Sequence, residues 1–130
     1  MARSEGAARH AVTVGMRCQI DIDVRGRFGW RLVASNGRSL AVSATAHESH
    51  ERCRAAFTAM CARHAMAGGG VQHTAEGGGW VWFVWDGGGR PVATSARAYE
   101  RHATCRASYE RFRALLAALD PAGPELWGES

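Results

Sequence analysis

Histidine and cysteine recur at a spacing that can hold a metal ion. The stretches are His50-x-x-Cys53, its repeat His102-x-x-Cys105, and Cys61-x-x-His64 further along. Positions three apart on a helix are neighbours, so a His/Cys zinc site is geometrically conceivable. Cys53 and Cys105 also fall on apolar helical stripes, however, and the close Cys pairs that structural zinc sites draw on are absent. Core packing is therefore the preferred assignment for these thiols, and neither a metal nor any other cofactor is predicted. Asp21 and Asp23 are the paired carboxylates of the chain, and such pairs do acid–base work when one is desolvated beside the other. On the polar face of a strand, within reach of Arg27 or Arg31, they are expected to form ordinary cross-strand charge pairs. No G-x-S-x-G and no Ser/His/Asp order is present. The three Gly-Gly-Gly runs lack a following G-K-[S/T], and those at Gly77–Gly79 and Gly87–Gly89 lie between strands, so they are assigned to loops and not to a phosphate cradle. The sequence therefore predicts a protein that is not an enzyme.

The elements that would carry these residues follow from periodicity. Val12, Val14, Met16, Cys18, Ile20, Ile22 and Val24 alternate with smaller or polar residues, the pattern of a strand with one buried face. Arg25-Gly26-Arg27 supplies a turn, and Phe28, Trp30 and Leu32 begin a second strand. Asn36-Gly37 predicts a two-residue type I′ hairpin into a third strand over 38–43. From Ser49, a plausible N-cap, the period becomes helical through Cys53, Ala56, Phe57, Met60, Cys61 and His64, and Gly68-Gly69-Gly70 is expected to end that helix.

The plan then recurs. Setting Gly37-Arg38 over Gly89-Arg90 gives an offset of 52 residues. At that offset Trp30 meets Trp82, Ala41 meets Ala93, Ser43 meets Ser95, His50 meets His102, and Cys53-Arg54-Ala55 meets Cys105-Arg106-Ala107, without a gap. This implies a tandem duplication. The second unit is expected to run as a strand over 71–76, Trp80–Trp85, a third strand over 90–95 and a helix over about 100–119. Two repeats are too few for an open solenoid and must close on each other. The predicted fold is α+β: two β-β-β-α(-β) units forming one antiparallel sheet, both helices on one face, with pseudo-two-fold symmetry. The expected organisation is a flexible N-terminus over 1–10 and one domain over 11–119, with repeats at about 11–67 and 71–119. A tail over 120–130 follows, docking or supplying an exchanged strand through Leu126 and Trp127.

The run Trp30-Arg-Leu-Val-Ala-Ser-Asn-Gly37, followed by a small-residue strand ending Ala41-Val42-Ser43 and a helix, resembles the YegP-like family of small tandem-repeat proteins. The stretch from Trp82 through Ser95, with Tyr99 before its helix, resembles a degenerate copy of the same repeat. The resemblance covers about Arg17 to Leu119. It implies that each unit is three strands, a helix and a further strand, the last strands being exchanged so that one sheet results. That exchange would place the strand over 71–76 in the second unit's sheet. The family carries no established activity, so the resemblance transfers no functional residues.

Composition narrows the function classes. The chain has 130 residues, 46% hydrophobic and 22% charged, with a formal net charge of +4, and all 16 basic residues are Arg. This balance belongs to globular proteins and gives only weak, salt-sensitive attraction to polyanions. No apolar run approaches a membrane span and residues 1–10 have no hydrophobic segment, so a cytoplasmic protein with reduced, buried cysteines is expected, with no membrane partner.

The informative anomaly is Trp80-Val-Trp-Phe-Val-Trp85. If Trp80, Trp82 and Val84 face the helices, then Val81, Phe83 and Trp85 face the other side, where the first unit has Gly29, Arg31 and Val33. The candidate interaction surface is therefore Val81, Phe83 and Trp85, with Arg31 and Arg90 beside them. Its preferred role is a protein-partner or homodimer surface of a small binding or assembly module. Cover by the tail through Leu126 and Trp127 is the plainer alternative. Stacking of single-stranded nucleic acid, with those arginines on phosphates, is the third.

Overall fold

The computed structural model describes residues 13–129. The expected flexible segment over 1–10 and the start of the first strand at Val12 lie outside the described residues. Strands β1 (Arg17–Ile22), β2 (Phe28–Val33) and β3 (Ser39–Ser43) lead into helix α1 (His50–Ala62) and a 3₁₀ turn (His64–Met66). Strands β4 (Gly68–His73), β5 (Trp80–Trp85) and β6 (Pro91–Ser95) lead into helix α2 (His102–Ala118). The result is α+β: one six-stranded antiparallel sheet in the order β1-β2-β3-β6-β5-β4.

The sheet is laid out symmetrically about the β3–β6 pair, at whose centre Val42 faces Thr94, two residues separated by the 52-residue offset. Other contacts recur at that offset. The Trp30 N–H donates to Ser43 Oγ at 3.2 Å and the Trp82 N–H to Ser95 Oγ at 3.3 Å. Isolated bridges join Phe28 to His47 and Trp80 to Tyr99.

One core serves both halves. Trp30, Leu32 and Cys18 from one half and Trp82, Val84 and Ala93 from the other meet Cys53, Phe57 and Met60 of α1 and Cys105, Phe112 and Leu116 of α2. Both helices thus cover the same face, as their apolar stripes require. The Ser49 hydroxyl caps α1 by accepting the Arg52 N–H at 3.1 Å, whereas Arg101 gives α2 no side-chain cap.

Three expectations are corrected. The first strand is shorter than its alternation implies: Ile22 is mostly exposed and Val24 fully so, because the Asp23 carboxylate accepts the N–H groups of Arg25 and Arg27 and turns the chain there. The Asn36-Gly37 hairpin is not a two-residue I′ turn. No described non-glycine residue has positive φ, and Gly37 alone adopts +83°. The Ala34 and Arg38 backbones pair across a three-residue loop, a type I turn closed by a left-handed glycine.

The third correction concerns Gly68–Gly70, which do not end the helix but form the first half of β4, so the strand expected over 71–76 lies at Gly68–His73. Helix α1 has already stopped at Ala62. A Cβ at Gly69 would collide with the carbonyl oxygen of Phe83 and lie 2.8 Å from the Tyr109 ring, so the absent side chain is what lets α2 lie close to β4.

Of the two courses expected for the tail, docking and an exchanged strand, the structure has docking. Leu126 is buried in the core, and its carbonyl accepts the Cys18 N–H at 2.7 Å. Pro121 and Pro124 lack the N–H groups that a ladder along β1 would use.

Candidate interaction surface

Alternation along the strands places one row of side chains across the sheet on the face away from the helices. Paired residues trace it as Gln19, Arg31, Val42, Thr94, Phe83 and Gly70. Its two ends differ in chemistry. In the first half, the Arg31 guanidinium donates to Asp21 at 3.2 Å, Gln19 at 2.8 Å and Ser39 at 3.1 Å, a polar lattice that ties β1, β2 and β3 together. In the second half Phe83 lies between Thr94 and Gly70, and Trp85 lies between Pro91 and Gly68.

Glycine opposite an aromatic residue leaves the ring bare on that side. The Trp85 indole lies over Gly68, its Nε1 only 2.6 Å from where a Cβ would stand. Trp85 keeps 39% of its surface exposed, while Val81 and Phe83 are half-buried. The row's polar end is satisfied by its own side chains; its apolar end is not.

The tail leaves this patch uncovered. Trp127 packs edge-on against Phe57 at 5.6 Å, with the Arg54 guanidinium 4.4 Å from its ring centre, and Glu129 accepts two bonds from Arg54. The tail therefore closes the helix side of the first half. Cover of Phe83 and Trp85 by Leu126 and Trp127 is excluded, because both residues are used on the opposite face.

Of the five surface residues anticipated from sequence, Val81, Phe83 and Trp85 are brought onto one strand and one face. Arg31 shares that face, with its guanidinium engaged by three partners. Arg90 stands in the β5–β6 hairpin and borders a groove against α1 together with Met66 and Asp86. The Asp86 carboxyl is held below its ordinary range by the Arg90 N–H, with further help from the Gly88 N–H and the nearby guanidinium groups of Arg90 and Arg63. Sequence reasoning placed a strand over 71–76 in the sheet of the aromatic strand but missed its glycine half, Gly68–Gly70, since a glycine triplet resembles a loop.

The His-x-x-Cys pairs are split by the fold. Cys53 and Cys105 are fully buried, and burial raises both thiols, that of Cys53 to about 11. His50 is exposed edge-on to Phe28, and His102 edge-on to Trp80 at 4.7 Å. Among the described residues no three His, Cys, Asp or Glu side chains stand close enough to share a metal ion.

No family model matches the chain and no curated protein matches it in sequence. Solved structures do. The solution NMR structure of yegP from E. coli, a protein of unknown function, superposes with a TM-score of 0.60 over 79% of this chain and 87% of that one, at 12% identity. The fold is YegP-like. A second YegP-like neighbour, the UPF0339 protein SO3888 from Shewanella oneidensis, has a TM-score of 0.59 over 79% and 86% of the two chains, at 10% identity. At such identity the likeness reports the sheet and helices alone. Among the described residues no helix is long and apolar enough to cross a membrane.

Proposed function

We propose that this chain is a non-enzymatic binding and assembly module that pairs with a second copy of itself through the second half of its sheet. The observation that carries this reading is the open aromatic patch of Phe83 and Trp85 beside an unguarded sheet edge. Strand β4, Gly-Gly-Gly-Val-Gln-His, ends the strand order. It carries no Asp, Glu, Lys, Arg or Pro, the residues with which proteins discourage edge-to-edge pairing. The opposite edge, β1, is partly closed by the tail.

A two-fold axis perpendicular to the sheet would pair β4 with its copy in antiparallel fashion, an isologous contact of the commonest kind. The open faces of both copies would then be continuous, and the two Trp85 rings would enter one apolar strip. Nucleic-acid stacking on the same patch draws less support, because Arg31 is already occupied and Arg90 borders a different groove.

Sedimentation velocity at micromolar concentrations tests this. The wild-type chain is expected to populate a dimer. Phe83→Ser/Trp85→Ser, and separately Gly70→Lys, are expected to be monomers with unchanged far-UV spectra. Gly70 suits this purpose because a Cβ there meets nothing within 4 Å. A wild-type chain that remains a strict monomer, or a dimer indifferent to both variants, would overturn the reading.

A further inference from the structure

Two grooves flank the core, each between a helix of one half and a hairpin of the other. The first runs between α1 and the β5–β6 hairpin and mixes Met60, Met66 and Val92 with Arg63, Arg90 and Asp86. The second, of about 640 Å³, runs between α2 and the β2–β3 hairpin. Its polar lining comprises Arg38, Arg97 and Arg111 with Asn36, Ser39, Tyr99 and Thr104, and no carboxylate.

Three guanidinium groups from three separate segments thus border one concavity. Four other arginines, Arg31, Arg52, Arg54 and Arg106, are in ion pairs. Among the described residues none of the three groove arginines has such a partner. The 52-residue offset shows how the charge accumulated. Arg38 corresponds to Arg90, but Arg97 stands where the first half has Thr45, and Arg111 where it has Ala59. The carboxylate of Asp86 corresponds to the methyl group of Ala34. Arg63 of the first groove corresponds to Leu115, so this groove is lined by three arginines and no carboxylate where the other has two arginines and one carboxylate. A general preference for Arg in the chain would not remove Asp at the same place.

We propose that this groove binds a small phosphate-bearing anion, with Arg38, Arg97 and Arg111 converging on its phosphate oxygens. Its volume falls within the range of ordinary small-molecule sites, roughly 300–1,000 Å³. Guanidinium forks match phosphate oxygens geometrically, and three of them held around one hollow repel one another until an anion enters. The groove is also partly preformed. The Arg97 guanidinium lies 5.1 Å from the Tyr99 ring centre, and the Tyr99 hydroxyl donates to Ser108 at 2.9 Å, which fixes the ring. Because Arg97 occupies that face of the ring, the groove recognises phosphate charge rather than stacking a base. This site is independent of the assembly surface, so either can fail alone.

Isothermal titration with pyrophosphate, and in parallel with a nucleoside diphosphate, tests the site in the full chain. Saturable one-to-one binding is expected at low salt, weakening as salt rises. Two variants are read alongside it: Arg97→Thr/Arg111→Ala, which installs the residues of the other half, and Ala34→Asp, which restores the missing carboxylate. Each is expected to weaken binding at least about tenfold, since hydrogen bonds to charged groups are worth that much or more. Arg90→Ala, in the other groove, is expected to leave binding unchanged. Binding of pyrophosphate alone is the mark of a bare phosphate site, and a preference for the nucleoside diphosphate that of a nucleotide. Three results would overturn the proposal: no saturable binding of either probe, binding indifferent to both groove variants, or binding of a single-stranded oligonucleotide without either small anion.

Discussion

Phe112 stacks on Trp82 with ring centres 4.8 Å apart and planes inclined by 25°, and the same Phe112 ring lies 6.3 Å from Trp30 at 12°. A single ring from the second helix thus stands between the two tryptophans that mark the halves, and all three are buried to within 2%. Offset stacking adds to the area these rings bury and fixes their relative placement.

Phe112→Ala is therefore expected to destabilise the whole molecule by about 3–5 kcal/mol, a truncation of a fully buried aromatic with a cavity left behind. Urea unfolding followed by tryptophan fluorescence and by far-UV circular dichroism would measure it. Both probes should report one shared transition in the wild type and one shared, lowered transition in the variant. Separate transitions for the two probes would show that the halves are independent.

The glycines of β4 should not respond alike. Gly69→Ala is expected to cost about 1–3 kcal/mol, because the new methyl group meets the Phe83 carbonyl and the Tyr109 ring. At Gly70 a Cβ meets nothing within 4 Å and φ is not positive. Gly70→Ala should therefore be neutral or stabilise by up to about 1 kcal/mol, by restricting the unfolded chain. Thermal or urea denaturation of the pair separates close packing from a simple loop, in which the two substitutions would behave similarly.

The buried thiols set a limit on stability at high pH. Burial pushes Cys53 to about 11 and Cys61 to about 12, from an ordinary value near 9. The folded state keeps protons that the unfolded state releases above pH 9, so this contribution is complete below about pH 9 and declines as pH rises towards the folded values. The urea midpoint should accordingly fall between pH 9 and 11. At neutral pH an alkylating reagent should modify Cys18, Cys53, Cys61 and Cys105 only on the timescale of unfolding, because all four are buried.

Much of the architecture is legible in the sequence because its signals are periodic and occur twice. Period-two alternation gave the strands, helical spacing gave the stripes of Cys53, Phe57 and Met60, and the recurrence at 52 residues placed the two halves on an equal footing. The hairpin at Asn36 shows where such reasoning stops. A dipeptide preference reports which residues tolerate positive φ, but loop length is set by how the flanking strands pair, and Ala34 pairs with Arg38. The second hairpin has the same geometry with Gly88 at the place of Asn36. There Asp86 accepts the Gly88 and Arg90 N–H groups, and Gly89 holds φ at +82°.

By itself the sequence determined the fold class, the face of Trp80–Trp85 that is buried and the apolar character of the face that is not, since alternation along a strand is a local property. Only the tertiary structure decided what lies beside that face. The course of the tail depends on Leu126 finding the β1 edge and Trp127 finding Phe57 and Arg54, contacts between segments 70 or more residues apart. The glycine edge beside Trp85 and the gathering of Arg38, Arg97 and Arg111 around one groove have the same origin. Each is a meeting of segments distant in the chain, and the spacing of residues along one segment carries no record of which other segment will pack against it.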